Sequence, residues 1–190
     1  RRNPAGSGFC RTLAYQLLPQ DRKRRMTMTD EFPAMTHETR LAALGITLPE
    51  AAPSPIGAFR NLRRHGDSLY VSGQGPVLAD GTLLRGKVGS EVSADEARAH
   101  ARLVAINILA VLRDEFGSLD AIGGVVKLTG LVNADPDFEA HPHVIDGASE
   151  IMHQVFGEAG VHARTSYGVG SLPNRITVEI EAVFELAARA

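Results

Sequence analysis

Cysteine is almost missing from this chain of 190 residues, where Cys10 stands alone. A single cysteine excludes an internal disulfide framework and any cysteine-rich zinc cluster, and it fits a reducing, cytoplasmic setting. Long apolar runs are missing too: no stretch approaches the roughly 18 residues that a membrane-spanning helix requires. Neither sign of charge dominates. With 20 lysines and arginines against 22 aspartates and glutamates, the formal net charge is −2, so no overall basic field recruits nucleic acid or a membrane surface. Phosphate loops are absent as well. Gly73-Gln74-Gly75-Pro76 and Ile122-Gly123-Gly124 contain glycine, but neither forms a GxGxxG turn or ends in Gly-Lys-Ser/Thr, so both read as strand bends and turns. No GxSxG elbow occurs, which leaves Ser72 as a sheet residue.

What is present is ordinary globular material, 44% hydrophobic and 22% charged, enough for one domain with a sizeable core plus an arm. The arm differs from the rest. Residues 1–25 hold Arg1, Arg2, Arg11, Arg22, Lys23, Arg24 and Arg25 against Asp21 alone. An organelle transit segment, a nucleic-acid arm and a disordered extension upstream of a start at Met26 or Met28 all fit this composition. The expected division is a basic, disordered extension over 1–35 and a single domain over 36–190.

Within the domain, residues 36–44 predict a short helix stopped by Gly45. Three prolines in residues 48–55 predict a loop. Residues 59–64 and 68–72 predict two strands around His65-Gly66-Asp67, and Asp80-Gly81 predicts pairing of residues 76–79 with 82–85. Ser93 followed by Glu96 is a capping box. From there Ala97, Ala101, Val104, Ala105, Ile108, Val111 and Leu112 form one apolar stripe that ends at Gly117. Residues 124–132 are rich in β-branched side chains and predict a strand. Pro142 opens a second helix with Val144, Ile145, Ala148, Ile151, Met152, Val155 and Phe156 inward, closed by Gly157. The chain ends with two strands, 162–169 and 176–184, which read as a hairpin about Ser171-Leu172-Pro173-Asn174-Arg175. Two amphipathic helices on one sheet make a two-layer α+β domain. The uncovered sheet face, with Glu179, Glu181 and apolar Val183, suits packing against other copies in a closed oligomer.

The chemistry is thin by elimination. His141, His143, His153 and His162 lack metal-ligand spacing and are expected in helix-cap and surface roles. Arg164 and Glu179 remain. An arginine on a strand is most often an ion-pair partner or a solvated edge charge, yet strand hydrogen bonding fixes the direction of both side chains. Together they are a candidate site for a small anionic molecule. With Ser171 and Ile176 flanking the turn, Arg164 falls opposite Val183. It is then offset from Glu179 by about four residues, roughly 13 Å, so the pair shares a cavity without touching and a neighbouring subunit completes it.

Several blocks, in order, carry a further reading. Ser54-Pro55-Ile56-Gly57-Ala58-Phe59, Leu69-Tyr70-Val71-Ser72-Gly73-Gln74-Gly75-Pro76, His162-Ala163-Arg164-Thr165-Ser166 and Leu172-Pro173 with Val178-Glu179-Ile180-Glu181-Ala182 resemble the Rid (YjgF/L-PSP) family of imine and enamine deaminases. The likeness spans residues 54–186. Residues 144–150 and 156–158 are similar to its longer "endoribonuclease L-PSP-like" subgroup. The resemblance implies a chorismate-mutase-like fold, one β-sheet covered by two helices, and a homotrimer with ligand clefts between subunits. It also implies cofactor-free hydrolysis of 2-imino acids or enamines such as 2-aminoacrylate to 2-keto acids and ammonia. Arg164 matches the arginine that binds the substrate carboxylate, Glu179 the carboxylate at the catalytic water, and Gly73 a close backbone approach to the ligand. Phe59, Ser166 and Asp146 complete the implied substrate-binding set. Two of these depart from the pattern: Phe59 stands where many members carry tyrosine, and Asp146 where asparagine is usual. A non-catalytic trimer that binds small carboxylates or acts as a holdase, and a ribonuclease, are the alternative readings.

Overall fold

The computed structural model describes residues 35–188; the basic segment up to residue 34, Cys10 included, lies outside the described residues. The elements are α1 (His37–Ala43), β1 (Leu62–His65), β2 (Ser68–Gln74), α2 (Ala94–Phe116), β3 (Ile122–Asn133), α3 (His141–Phe156), β4 (Ala163–Val169) and β5 (Val178–Leu186). Among the described residues no helix is long and apolar enough to cross a membrane.

Local chemistry explains the helices. Ser93 Oγ accepts from the Glu96 amide while the Glu96 carboxylate accepts from the Ser93 amide, so two of the donors left over at the start of α2 are satisfied. Gly117 ends α2 in the left-handed region at φ 77°, a conformation that glycine adopts without strain. Pro142 sits in the first turn of α3, where its missing N–H costs nothing. The short α1 is tied down by buried Leu41 and by Glu38, whose carboxylate pairs with Arg113 at 2.6 Å.

The five strands run in the order β1-β2-β5-β3-β4. All neighbours are antiparallel except β3 and β4. This corrects the expected final hairpin: β4 and β5 do not pair, because β3 lies between them. Arg164 is in register with Leu128 of β3, which in turn faces Ala182 of β5. The linking segment is an arch rather than a tight turn, with Leu172 and Ile176 buried beneath it and Ile176 bridged to Arg85. Burial accounts for the order. Val178, Ile180, Ala182 and Phe184 are all buried in β5, whereas β4 has no fully buried residue. The apolar strand takes the middle of the sheet and the polar one its edge.

Other boundaries moved less. β1 starts at Leu62, so Phe59 stands in the preceding bends rather than on a strand, and β3 is longer than predicted at both ends. The Asp80-Gly81 turn is a narrow ladder, with Val77 bridged to Leu83. A bulge in β2 between Val71 and Gln74 shifts the register against β5.

The two long helices cover the face that carries Leu69, Leu128, Ile180, Ala182 and Phe184. They approach closely at Gly147 of α3, where a methyl group would overlap the carbonyl oxygen of Arg98 on α2. Backbone cannot yield as a side-chain tip can. Gly147→Ala should therefore lower unfolding stability by about 1–3 kcal/mol, read as a lower urea midpoint; an unchanged midpoint would mean that the helices have room to spare there.

Candidate functional site

Arg164 projects from edge strand β4 on the helix-covered side of the sheet, in register with fully buried Leu128. Its side chain retains 23% of its exposure, and Nη1 donates to Asp146 Oδ1 at 2.6 Å and to Ser149 Oγ at 3.0 Å. Asp146 and Ser149 lie three residues apart on α3 and so share one helix face. A second arginine reaches the same carboxylate: Arg98 Nη1 is 3.8 Å from Asp146 Oδ2, and Arg98 Nη2 pairs with Glu150. Ser149 Oγ is in turn 3.1 Å from His162 Nε2, and His162 Nδ1 is 2.6 Å from the Gly160 carbonyl oxygen. Beside these groups opens a concave space of about 290 Å³, lined by Ser149, Glu150, His153, Val161, His162 and Arg164 among others. Among the described residues, Arg164 Nε and Nη2 have no hydrogen-bond partner. One edge of the guanidinium fork is left for an incoming carboxylate, which matches its planar, paired donors.

Glu179 lies elsewhere. It is in register with Leu131 of β3, and Leu131 with Tyr167 of β4. This row faces away from the helices, because Leu128 and Leu131 are three residues apart and successive strand residues alternate faces. Within one chain Arg164 and Glu179 are thus on opposite faces of the sheet, which corrects the expectation that they share a cavity. The β2 bulge puts Gly73 over Glu179, and a side chain at 73 would occupy the place of the Glu179 carboxylate. Ser72 Oγ donates to the Arg60 carbonyl oxygen, which brings the segment of Phe59, 46% exposed, alongside that group.

The six residues expected to form one site therefore divide. Arg164 and Asp146 meet directly; Glu179 and Gly73 meet on the other face, and Phe59 precedes Arg60, whose carbonyl holds Ser72. Ser166, two residues beyond Arg164 on the same face and in register with Gly130, does not line the cavity. Ser149 and His162 were missed as site members, although a serine three residues after Asp146 and a histidine two before Arg164 are spacings that place side chains on shared faces. Of the other histidines weighed as metal ligands, His143 Nε2 is 2.7 Å from Asp95 Oδ1, His141 meets the Phe138 ring edge-on, and His153 Nε2 is 4.0 Å from Glu158 Oε1.

A family model described as "YjgF/chorismate_mutase-like, putative endoribonuclease" matches residues 38–184. The chain belongs to this YjgF family. It is 38% identical over 147 residues to Protein TCP17 of Trypanosoma cruzi, covering 77% of this chain and 91% of that protein. A solved structure from Agrobacterium tumefaciens, of unknown function, superposes with a TM-score of 0.72 at 40% identity, over 84% of this chain and 95% of that one. One from Shewanella oneidensis, carrying the same endoribonuclease description, gives 0.76 at 33% identity over 80% and 100%. The YjgF fold, a single mixed sheet with helices on one face, agrees with the architecture above.

Electrostatics distinguish the two groups. Burial, with Glu181 nearby, raises the Glu179 carboxyl above the ordinary glutamate range. Between that range and the raised value the native state binds more protons than the unfolded chain, so this residue makes stability fall as pH rises through the window. Glu179→Gln removes the effect. The melting temperature of the variant relative to wild type should climb as pH rises from the ordinary glutamate range through the raised one; a constant difference would show that Glu179 ionises as freely in the folded protein as in the unfolded one.

Proposed function

We propose that this YjgF-family protein hydrolyses reactive 2-imino acids and enamines, such as 2-aminoacrylate, to 2-keto acids and ammonia without a cofactor. The observation that carries the reading is Arg164: a guanidinium braced on one side by Asp146 and Ser149, with its remaining donors beside a cavity sized for a short acid. Gripping the substrate carboxylate there fixes the position of the neighbouring imine carbon. Glu179 orients the attacking water. Because one chain holds these groups on opposite faces, the complete site belongs to a closed homo-oligomer, a trimer by family resemblance, in which the β4 edge of one copy meets the open sheet face of the next. Exposed Tyr70 and Tyr167 and partly buried Val183 on that face suit such a contact. The endoribonuclease wording of the relatives has less support in this chain, whose formal net charge of −2 supplies no broad basic field for a phosphate backbone.

In a coupled assay that generates 2-iminopropanoate, Arg164→Ala should lose roughly 100-fold or more in kcat/KM, the size expected for two charge-assisted hydrogen bonds. The oligomer should persist in sedimentation, and undiminished turnover would refute the assignment.

One observation favours a second reading. Asp146, 2.6 Å from Arg164, offsets the positive charge that an anionic substrate would meet, which fits a protein that binds 2-keto acids without turnover. Titration with 2-oxobutyrate beside the hydrolysis assay separates the two. In either case Asp146→Asn should tighten carboxylate binding by roughly threefold to tenfold, a surface-scale effect for a partly exposed charge. Unchanged affinity would mean that Asp146 moves aside when the ligand enters.

A further inference from the structure

Ser149 and His162 sit in the wall of the Arg164 cavity; the reading above uses Ser149 only to brace Arg164 and gives His162 no task. Their hydrogen bonds assign every proton. The Gly160 carbonyl oxygen, 2.6 Å from His162 Nδ1, can only accept, so Nδ1 carries the ring hydrogen and Nε2 of the neutral imidazole keeps a bare lone pair. Arg164 Nη1, 3.0 Å from Ser149 Oγ, can only donate. The Ser149 hydroxyl is left to give its hydrogen to Nε2 at 3.1 Å. The result is a hydroxyl aimed at an unprotonated base, with the base held by a third group, the arrangement that activates hydroxyls for proton transfer. Glycine at 160 is required for this anchor, because any side chain there would overlap the Met152 carbonyl at the end of α3.

We propose that Ser149 and His162 are the proton-transfer pair of this cavity, Ser149 Oγ meeting the reacting water and His162 Nε2 acting through it. The proposal rests on the imine-hydrolysis reading, in which Glu179 of another copy orients the water, and adds the groups that carry that water's proton. As the water oxygen bonds to the carbon of the protonated imine, the C=N π electrons move to nitrogen. The proton released by the water passes to Ser149, whose own proton moves to Nε2. His162 then returns a proton by the same route to the nitrogen. The C–N bond breaks with its electron pair on nitrogen, the carbinol oxygen closes to the ketone, and its hydrogen leaves with ammonia as ammonium. Nothing is oxidised or reduced.

The surroundings favour an unprotonated ring at working pH. Burial lowers the His162 pKa below the ordinary histidine value and the Arg164 charge lowers it further, against a raising contribution from the Gly160 bond. The charged and titratable groups that line the cavity with it are Glu150 and His153 of α3 and Arg164 of β4, and exposed Glu158 lies 4.0 Å from His153. Lys127 of β3 lies beside Ala163 on the other face of the sheet.

The test compares kcat, KM and their pH profiles for wild type, Ser149→Ala, Ser149→Thr, His162→Asn and Arg164→Ala on 2-iminopropanoate. Asparagine keeps a donor for the Gly160 carbonyl but offers no basic nitrogen; alanine at 149 leaves the His162 anchor untouched and serves if the other variant folds poorly. His162→Asn should lose roughly 100-fold in kcat with KM within about threefold of wild type, and Ser149→Ala should lose as much in kcat with an added rise in KM from the missing Arg164 brace. Ser149→Thr should recover part of the loss. The fall of wild-type kcat on acidification, caused by protonation of Nε2, should vanish in His162→Asn. Full kcat and an unaltered acid limb in both variants, in a protein that Arg164→Ala inactivates, would overturn the pair while leaving the imine reading in place. An inactive wild type would overturn both.

Discussion

The parallel pairing of β4 with β3 is the constraint from which the candidate site follows. Two parallel strands side by side cannot be joined by a tight turn; the chain must cross over the sheet before it returns, and a helix is the economical crossover. Here that helix is α3. It has to lie over the strands that it connects, and the turn of α3 bearing Asp146 and Ser149 comes to rest above the β4 position occupied by Arg164. An antiparallel β4 hairpinned to β5 would not by itself have placed α3 there. The polar character of β4, which suits it to an edge, supplies the charge, and the crossover supplies its partners.

The second group depends on a different irregularity. Side chains on β2 alternate faces, and an undisturbed register would not have set Gly73 over Glu179. The extra residue between Val71 and Gln74 resets the alternation, as bulges commonly do beside functional sites. The absence of a side chain at 73 leaves room for the Glu179 carboxylate in a partly buried position, where desolvation raises its proton affinity. A sheet is an impermeable partition between these groups. Chemistry that needs both must recruit them from separate copies.

Periodicity and capping made the helices legible. The Ser93–Glu96 box, the apolar stripe up to Gly117 and the inward face of α3 are local signals, and the structure realises each of them. Arg164 and Glu179 stood out in the sequence as strand residues of fixed direction, and Gly73 and Asp146 through the motif blocks. Their grouping was not legible. Proline and asparagine at 173–174 describe a change of direction, but not how many strands the returning chain skips; that is decided by competition for the buried middle of the sheet, which β5 wins with four buried apolar residues. The bulge is only half legible: the glycines of residues 73–76 announce a bend, but not the strand whose register it shifts. Local spacing puts Ser149 on the face of Asp146 and His162 on the side of Arg164, but only the crossover brings Ser149 and His162 together.

The charge balance around Arg164 bears on how such a cavity would recognise an acid. Two arginines, 98 and 164, face two carboxylates, 146 and 150, so the cluster carries little net charge and exerts little long-range pull on an anion. Attraction at a distance is therefore not its means of selection. Once Asp146 and Ser149 occupy Nη1, the guanidinium plane is held in one orientation, and the donors that remain point in fixed directions. A held fork loses less side-chain freedom on meeting a carboxylate than a mobile one would, which returns in preorganisation some of what Asp146 removes in charge. A site built this way favours ligands that present a planar carboxylate at one distance from a reactive carbon over anions in general. That is the discrimination which a protein acting on short imino or keto acids among many other metabolites would need.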